Sequence, residues 1–154
     1  MTFDYKKQTD DFWKKYLKGE ALQVCRLHGT ERPYTGKYDK FYEDGTYYCA
    51  CCGGDFALFM SDAKFDSGSG WPSFYEPIVG AVVERPDPRD RLNEGRIYER
   101  IEVICSRCES HLGHVFDDGP EPTGKRYCMN SVSLIFTPKG EVPRRTYTLD
   151  EKDK

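Results

Sequence analysis

The sequence predicts a mainly β protein, an antiparallel sandwich or barrel with short helices confined to its N-terminal part. Three observations point there. After Pro33, short aromatic or β-branched runs alternate with clusters of Gly, Pro, Asp and Ser, the punctuation of strands and turns. Aromatic residues make up 14% of the chain although hydrophobic residues reach only 38%, and Tyr and Phe pack well on a pleated surface. Two C-x-x-C pairs lie far apart in the chain, so a metal held between them would pin two distant hairpins together.

The elements follow in order. Residues 1–8 read as frayed. Residues 10–17 read as a short helix capped by Asp10, with Phe12, Trp13, Tyr16 and Leu17 as its apolar stripe and Gly19 closing it. A second short helix is expected over 20–27, ending near Gly29. Strands are expected over 47–49, 56–59, 79–84, 98–105, 111–116 and 131–137. The alternation across 99–104 is imperfect. The stretch 85–95 reads as a polar surface loop, and the charged tail 139–154 as peripheral.

At 154 residues the chain suits one domain spanning 1–154. Net charge is −3 with basic and acidic residues interspersed, which argues against a nucleic-acid partner. The N-terminal residues contain no apolar signal-peptide core, and no apolar run reaches membrane-spanning length. A soluble, cytoplasmic protein without membrane association, acting as a monomer, is expected. Seven cysteines is an odd number for a disulfide scaffold. In a reducing compartment such usage points to metal binding or catalysis.

Cys49 with Cys52, and Cys105 with Cys108, have the spacing of two metal knuckles. Gly53 and Gly54 supply the permissive backbone that the first knuckle needs. A closed four-thiolate site of this kind suits structural zinc. Three alternatives stay open: one pair acting as a redox dithiol, a Cys105, Cys108, His111, His114 set, and Cys51 exchanging with a neighbouring ligand. His111 and His114 are candidates for acid–base work near neutral pH. A flat strand would turn them to opposite faces, whereas a bulge at Gly113 would bring both to one surface. The alternative is one core histidine and one surface histidine. Trp71, in a Gly/Ser-rich loop, either covers the core edge or forms an apolar wall for a small ligand group. Cys128 stands outside the zinc-spaced four. Arg126, two residues away, shares its face on an extended strand. A guanidinium beside a thiol favours the thiolate, so Cys128 reads as an activated nucleophile.

Taken together, these segments resemble the B type of methionine sulfoxide reductase. The likeness runs from Gly29-Thr30-Glu31-Arg32-Pro33-Tyr34-Thr35-Gly36 through the Phe65 to Phe74 loop. It continues through His111-Leu112-Gly113-His114-Val115-Phe116-Asp117-Asp118-Gly119-Pro120, then Thr123-Gly124-Lys125-Arg126-Tyr127-Cys128 and Asn130-Ser131. It covers about 20–138, the expected catalytic core. The resemblance implies two antiparallel sheets in a barrel-like sandwich, stapled by one zinc on Cys49, Cys52, Cys105 and Cys108. It implies reduction of the R-epimer of methionine sulfoxide within oxidised proteins, with thioredoxin as reductant. Cys128 falls on the nucleophile position. His111, His114, Arg126 and Asn130 fall on catalytic positions, and Trp71 and Phe116 on substrate-binding ones. Chemistry agrees: a thiolate attacks the electrophilic sulfur, an acid protonates the oxygen, and the thiol becomes a sulfenic acid.

The chain departs from the family pattern at Ser69, where many members carry the recycling cysteine. Some members without that cysteine have a resolving cysteine in the N-terminal segment, so the resemblance implies this role for Cys25. The other reading of Cys25 is an inert small hydrophobe on a helix. Residues 52–59 and the loop near 85–98 also look enlarged. The competing functional reading is a non-enzymatic zinc-stapled β-domain that binds a partner protein.

Overall fold

The computed structural model describes residues 3–27, 29–88 and 100–154. Among the described residues, two short α-helices precede nine strands. Helix α1 spans Asp10–Tyr16 and α2 spans Gly19–Cys25. The strands are β1 Gly45–Cys49, β2 Ala57–Met60, β3 Lys64–Phe65, β4 Ser73–Phe74, β5 Val82–Pro86, β6 Ile101–Cys105, β7 His111–Phe116, β8 Arg126–Met129 and β9 Leu134–Pro138. They form two sheets, ordered β2-β1-β9 and β3-β4-β8-β7-β6-β5. Every neighbouring pair is antiparallel, as the sequence predicts.

Aromatic side chains join the sheets. Tyr47 and Phe59 of the small sheet meet Phe74 of the large one, edge-on at 5.1 Å and stacked at 4.4 Å between ring centroids. All three are fully buried. Aromatic pairs in such geometries add to the gain from burying their area.

Several local expectations change. Thr9, not Asp10, caps α1, its hydroxyl accepting from the Phe12 N–H at 3.2 Å. Gly19 opens α2 with φ +55° instead of closing α1, and α2 stops at Cys25. Residues 131–133 form a 3₁₀ turn before β9 rather than its first residues. Strand β5 begins at Val82, and Val79 stands in solvent. Strands β3 and β4, two residues each, carry too little pattern to be read.

Residues near both ends of the described chain are anchored. Tyr5 is buried in a 3₁₀ turn, Tyr5–Lys7, and Phe3 packs beside it. In the tail, Arg145 donates to Asp55 at 2.7 Å and to the Tyr5 hydroxyl at 2.9 Å. Tyr147 donates to the Cys51 carbonyl at 2.5 Å. The charged residues of the tail other than Asp153 are exposed, but Tyr147 and Leu149 pack against the core. Charge count hides such an anchor because one aromatic ring suffices to dock it.

Among the described residues, no helix is long and apolar enough to cross a membrane. The expected strand residues 98–99 and most of the loop near 85–98 lie outside the described residues.

Candidate active site

The six-stranded sheet arranges the chemistry by register. Ser73 on β4 lies opposite Cys128 on β8, Cys128 opposite His114 on β7, His114 opposite Glu102 on β6, and Glu102 opposite Arg85 on β5. Directly paired residues share a sheet face, so these five side chains form one row. Phe116 and Arg126 form the neighbouring pair.

The histidine question is settled by a bulge. Gly113 pairs with Val103, yet His111 pairs with Ile104, so Leu112 is an extra residue in β7. The shift puts His111 and His114 on one face, with ring centroids 5.3 Å apart. Gly113 has a further reason to be glycine: a side chain there would strike the Cys128 carbonyl and the Met129 Cα. Strand β8 therefore approaches β7 closely where it carries Cys128.

A cleft of about 290 Å³ opens over this row, lined by Thr30, Ser69, Trp71, Arg100, Gly113, His114, Phe116, Arg126, Cys128 and Asn130. Six of the predicted site residues meet there: Trp71, His114, Phe116, Arg126, Cys128 and Asn130. A larger hollow of about 390 Å³ beside β1 and β9 has no cysteine or histidine in its lining.

Each side chain has a distinct setting. Cys128 is half-buried, the other six cysteines fully so. Burial pushes its thiol up, and the opposing pull of Ser69, Arg126 and Ser73 does not overcome it. The influence of Arg126 thus has the expected sign but not the expected outcome, because desolvation of the thiolate is larger. Arg126 forks onto Asp118 at 2.9 and 3.2 Å and stacks on Phe116 at 4.3 Å. Trp71 forms part of the cleft wall, its indole N–H donating to the Glu31 carbonyl at 3.0 Å. Asn130 accepts from the Glu31 N–H at 3.0 Å and donates to the Leu112 carbonyl at 3.1 Å.

The histidines divide. His114 lines the cleft, with Nε2 2.7 Å from the Asp87 carboxylate. Burial holds its imidazole below the ordinary value despite Asp87. His111 is completely buried behind it, Nδ1 2.6 Å from Glu102. Glu102 also accepts from Arg85 at 2.8 Å.

The sequence reading missed both carboxylates. Asp87 falls within the expected polar surface loop, yet it is fully buried. Glu102 is the residue that spoils the alternation of β6. That strand is buried on both faces, and its one inward carboxylate is held by His111 and Arg85. A carboxylate among apolar strand positions was the available signal.

The two C-x-x-C pairs converge. The four Sγ atoms of Cys49, Cys52, Cys105 and Cys108 lie within 4.8 Å of one another and are all buried. Cys49 and Cys108 are 3.7 Å apart, Cys52 and Cys105 3.9 Å. Gly53 and Gly54 take positive φ, as that turn demands. Arg107 donates to Cys52 Sγ at 3.2 Å and to its carbonyl at 2.7 Å. This cluster could hold a metal ion, and none of its members lines the cleft. Neither Cys51 nor a histidine belongs to it. Cys25 lies apart from the cleft lining, buried on α2 with Sγ 3.6 Å from the Ser133 hydroxyl.

Fold and site together define a protein of two antiparallel sheets joined at a four-cysteine cluster, with a separate half-buried thiol in a cleft. The family model described as the SelR domain matches residues 17–138, and the chain belongs to that family. Among curated relatives it is 53% identical over 137 residues to the peptide methionine sulfoxide reductase MsrB of Pseudomonas syringae pv. syringae (strain B728a), covering 88% of this chain and 98% of the relative. It is 54% identical over 133 residues to the MsrB of Pseudomonas putida (strain W619), covering 86% and 94%. To the MsrB of Azotobacter vinelandii it is 49% identical over 131 residues, covering 85% and 93%.

Proposed function

We propose that the protein reduces the R-sulfoxide of methionine residues in oxidised proteins, with Cys128 as nucleophile. The observation that carries this reading is the half-buried Cys128 sulfur in a cleft with His114, Arg126 and Trp71, clear of the four-thiol cluster. Burial favours the thiol at Cys128 and the neutral ring at His114. One proton therefore resides on sulfur before substrate binds. Cys128 sulfur attacks the sulfoxide sulfur while that proton passes, directly or by way of His114, to the sulfoxide oxygen. The S–O bond breaks as the hydroxyl passes to Cys128 sulfur, the transient bond between the two sulfurs breaks, the thioether leaves, and Cys128 is a sulfenic acid. The substrate sulfur gains two electrons, Cys128 loses two, and no outside proton is needed. Trp71 packs on the substrate methyl and separates the epimers. Arg126, anchored by Asp118 and Phe116, stabilises negative charge on Cys128 sulfur. Asn130 is tied to the backbone and shapes the cleft. Glu102 and His111 hold His114 from behind.

Cys25 resolves the sulfenic acid: its thiol condenses with it, forming a disulfide and releasing water, and thioredoxin reduces the disulfide by thiol exchange. Cys25 must leave its site under α2 for this step. That helix has seven residues and no side-chain N-cap, which keeps its intrinsic stability low. The four-thiol cluster fits zinc. Tetrahedral Zn–S bonds of about 2.3 Å require S···S edges of roughly 3.8 Å, near the 3.7 and 3.9 Å found. Cys49, Cys52, Cys105 and Cys108 would hold the ion, which supplies folding energy rather than chemistry.

A peptide carrying each sulfoxide epimer, assayed with dithiothreitol, tests the reading. The R-epimer is reduced and the S-epimer is not, and Cys128→Ser lowers the rate by roughly 10³-fold or more. Full activity in Cys128→Ser, or a preference for the S-epimer, overturns it. In the same preparation, mass spectrometry after one turnover detects a Cys25–Cys128 disulfide that Cys25→Ser abolishes. An intramolecular disulfide that survives Cys25→Ser removes Cys25 from the cycle.

A further inference from the structure

Three serines form a continuous hydroxyl chain that reaches the Cys128 sulfur. Cys128 Sγ lies 3.8 Å from Ser69 Oγ. Ser69 Oγ is 2.7 Å from Ser67 Oγ, and Ser67 Oγ is 2.8 Å from Ser73 Oγ. Ser73 Oγ ends the chain 3.1 Å from the Trp71 carbonyl. Ser73 also lies opposite Cys128 in the β4–β8 pair. The loop holds this geometry itself: the Ser69 N–H donates to Ser67 Oγ at 3.3 Å and the Trp71 N–H to Ser69 Oγ at 3.4 Å.

Each hydroxyl has one proton to donate. With Cys128 as a thiol, four protons fill the chain, and the Trp71 carbonyl also lies 3.5 Å from Ser69 Oγ. Cys128 donates to Ser69, Ser69 to Ser67, Ser67 to Ser73, and Ser73 to the Trp71 carbonyl. A thiolate can only accept. Three protons then remain, and every hydroxyl reverses: Ser73 donates to Ser67, Ser67 to Ser69, and Ser69 to sulfur. We propose that Ser67, Ser69 and Ser73 form a reversible hydroxyl relay that supplies a hydrogen bond to Cys128 when its thiolate forms. Ser69, which touches the reacting sulfur, is then a catalytic residue; Ser67 is a positioning residue acting through it, and Ser73, opposite Cys128, acts both through the chain and on the thiol directly.

The relay completes the surroundings of the sulfur. Arg126 faces it from the same strand and is itself neutralised by Asp118. His114 faces it from β7, backed by Asp87, and Arg100 lines the cleft beyond. The serines add donors without adding charge. Chains of hydrogen bonds in a partly desolvated site strengthen one another. Both Ser69 and Ser73 draw the Cys128 thiol downward against burial.

This inference rests on the reading of Cys128 as nucleophile, but its test reads the thiol itself. The rate of Cys128 alkylation by iodoacetamide is followed across pH by mass spectrometry of the peptide containing it, in the intact metal-loaded protein. Ser69→Ala moves the midpoint to higher pH and slows alkylation at pH 7.5 by roughly three- to tenfold. Ser69→Thr, which keeps the hydroxyl, stays within about twofold of the parent. Ser67→Ala shifts the profile the same way but less, because Ser69 can still donate. Unchanged profiles in Ser69→Ala overturn the relay, whether or not that protein melts earlier. A shift in Ser67→Ala larger than in Ser69→Ala also overturns it. A protein that reduces no sulfoxide still reports its thiol, so failure of the proposed reaction is distinguishable.

Discussion

At the residue scale, opposing environments decide protonation in the cleft. The Cys128 thiol is held up and the His114 imidazole held down, both chiefly by burial. His114 therefore takes up its proton less readily in the folded protein than unfolded, where its value is near 6.5. The neutral ring's contribution to stability is fully present above that value and is lost as pH falls through the lower folded one. Urea unfolding from pH 8 to pH 5 should show stability declining toward acid, with a shallower decline in His114→Gln. Glu31 works in the opposite sense, since burial raises its carboxyl, so the comparison of parent with variant isolates His114. Equal slopes in the two proteins would exclude His114 as the source.

At the element scale, the pairing of β7 with β8 is the device that builds the site. The extra residue Leu112 turns His111 and His114 to one face, and Gly113 lets β8 lie close beside them. Gly113→Ala forces the Cys128 carbonyl away and should cost about 1–3 kcal/mol in stability. If Cys128 is the nucleophile, as proposed, it should also lower kcat by roughly 10²-fold, because its strand is displaced. Denaturant titration and steady-state kinetics measure the two effects. A variant that matches the parent in both would show that the contact is not needed. A bulge at Gly113 was one of two open readings, since two histidines three apart cannot otherwise share a strand face; the structure has the bulge, with Leu112 as its extra residue. The buried partners Asp87 and Glu102 were not anticipated. A carboxylate reads as surface until its partner is known, and both partners come from another strand.

At the scale of the whole molecule, the four-cysteine cluster ties the small sheet to the large one. Cys49 ends β1 and Cys105 ends β6, so each knuckle belongs to a different sheet. Residues from both termini close over it through Tyr5, Arg145 and Tyr147. If the cluster holds zinc, as proposed, its removal by a chelator under reducing conditions should lower stability by about 5 kcal/mol or more, since binding energy at such a site is folding energy. Calorimetry before and after chelation measures it. A melting profile unaffected by metal removal would mean that packing alone joins the sheets.

The sequence by itself determined the β architecture, the two cysteine pairs, the separate thiol Cys128 and the shared face of Arg126 and Cys128. Those features rest on local spacing and on the two-residue period of a strand, which need no partner to be read. The tertiary structure alone decided that Asp87 and Glu102 back the histidines, that His114 rather than His111 reaches the cleft, and that Cys25 is buried against Ser133. It also decided that the charged tail docks through Tyr147 and that burial outweighs Arg126 at the thiol. Each of these depends on which distant segment removes a group from water, and desolvation is a property of the assembled fold.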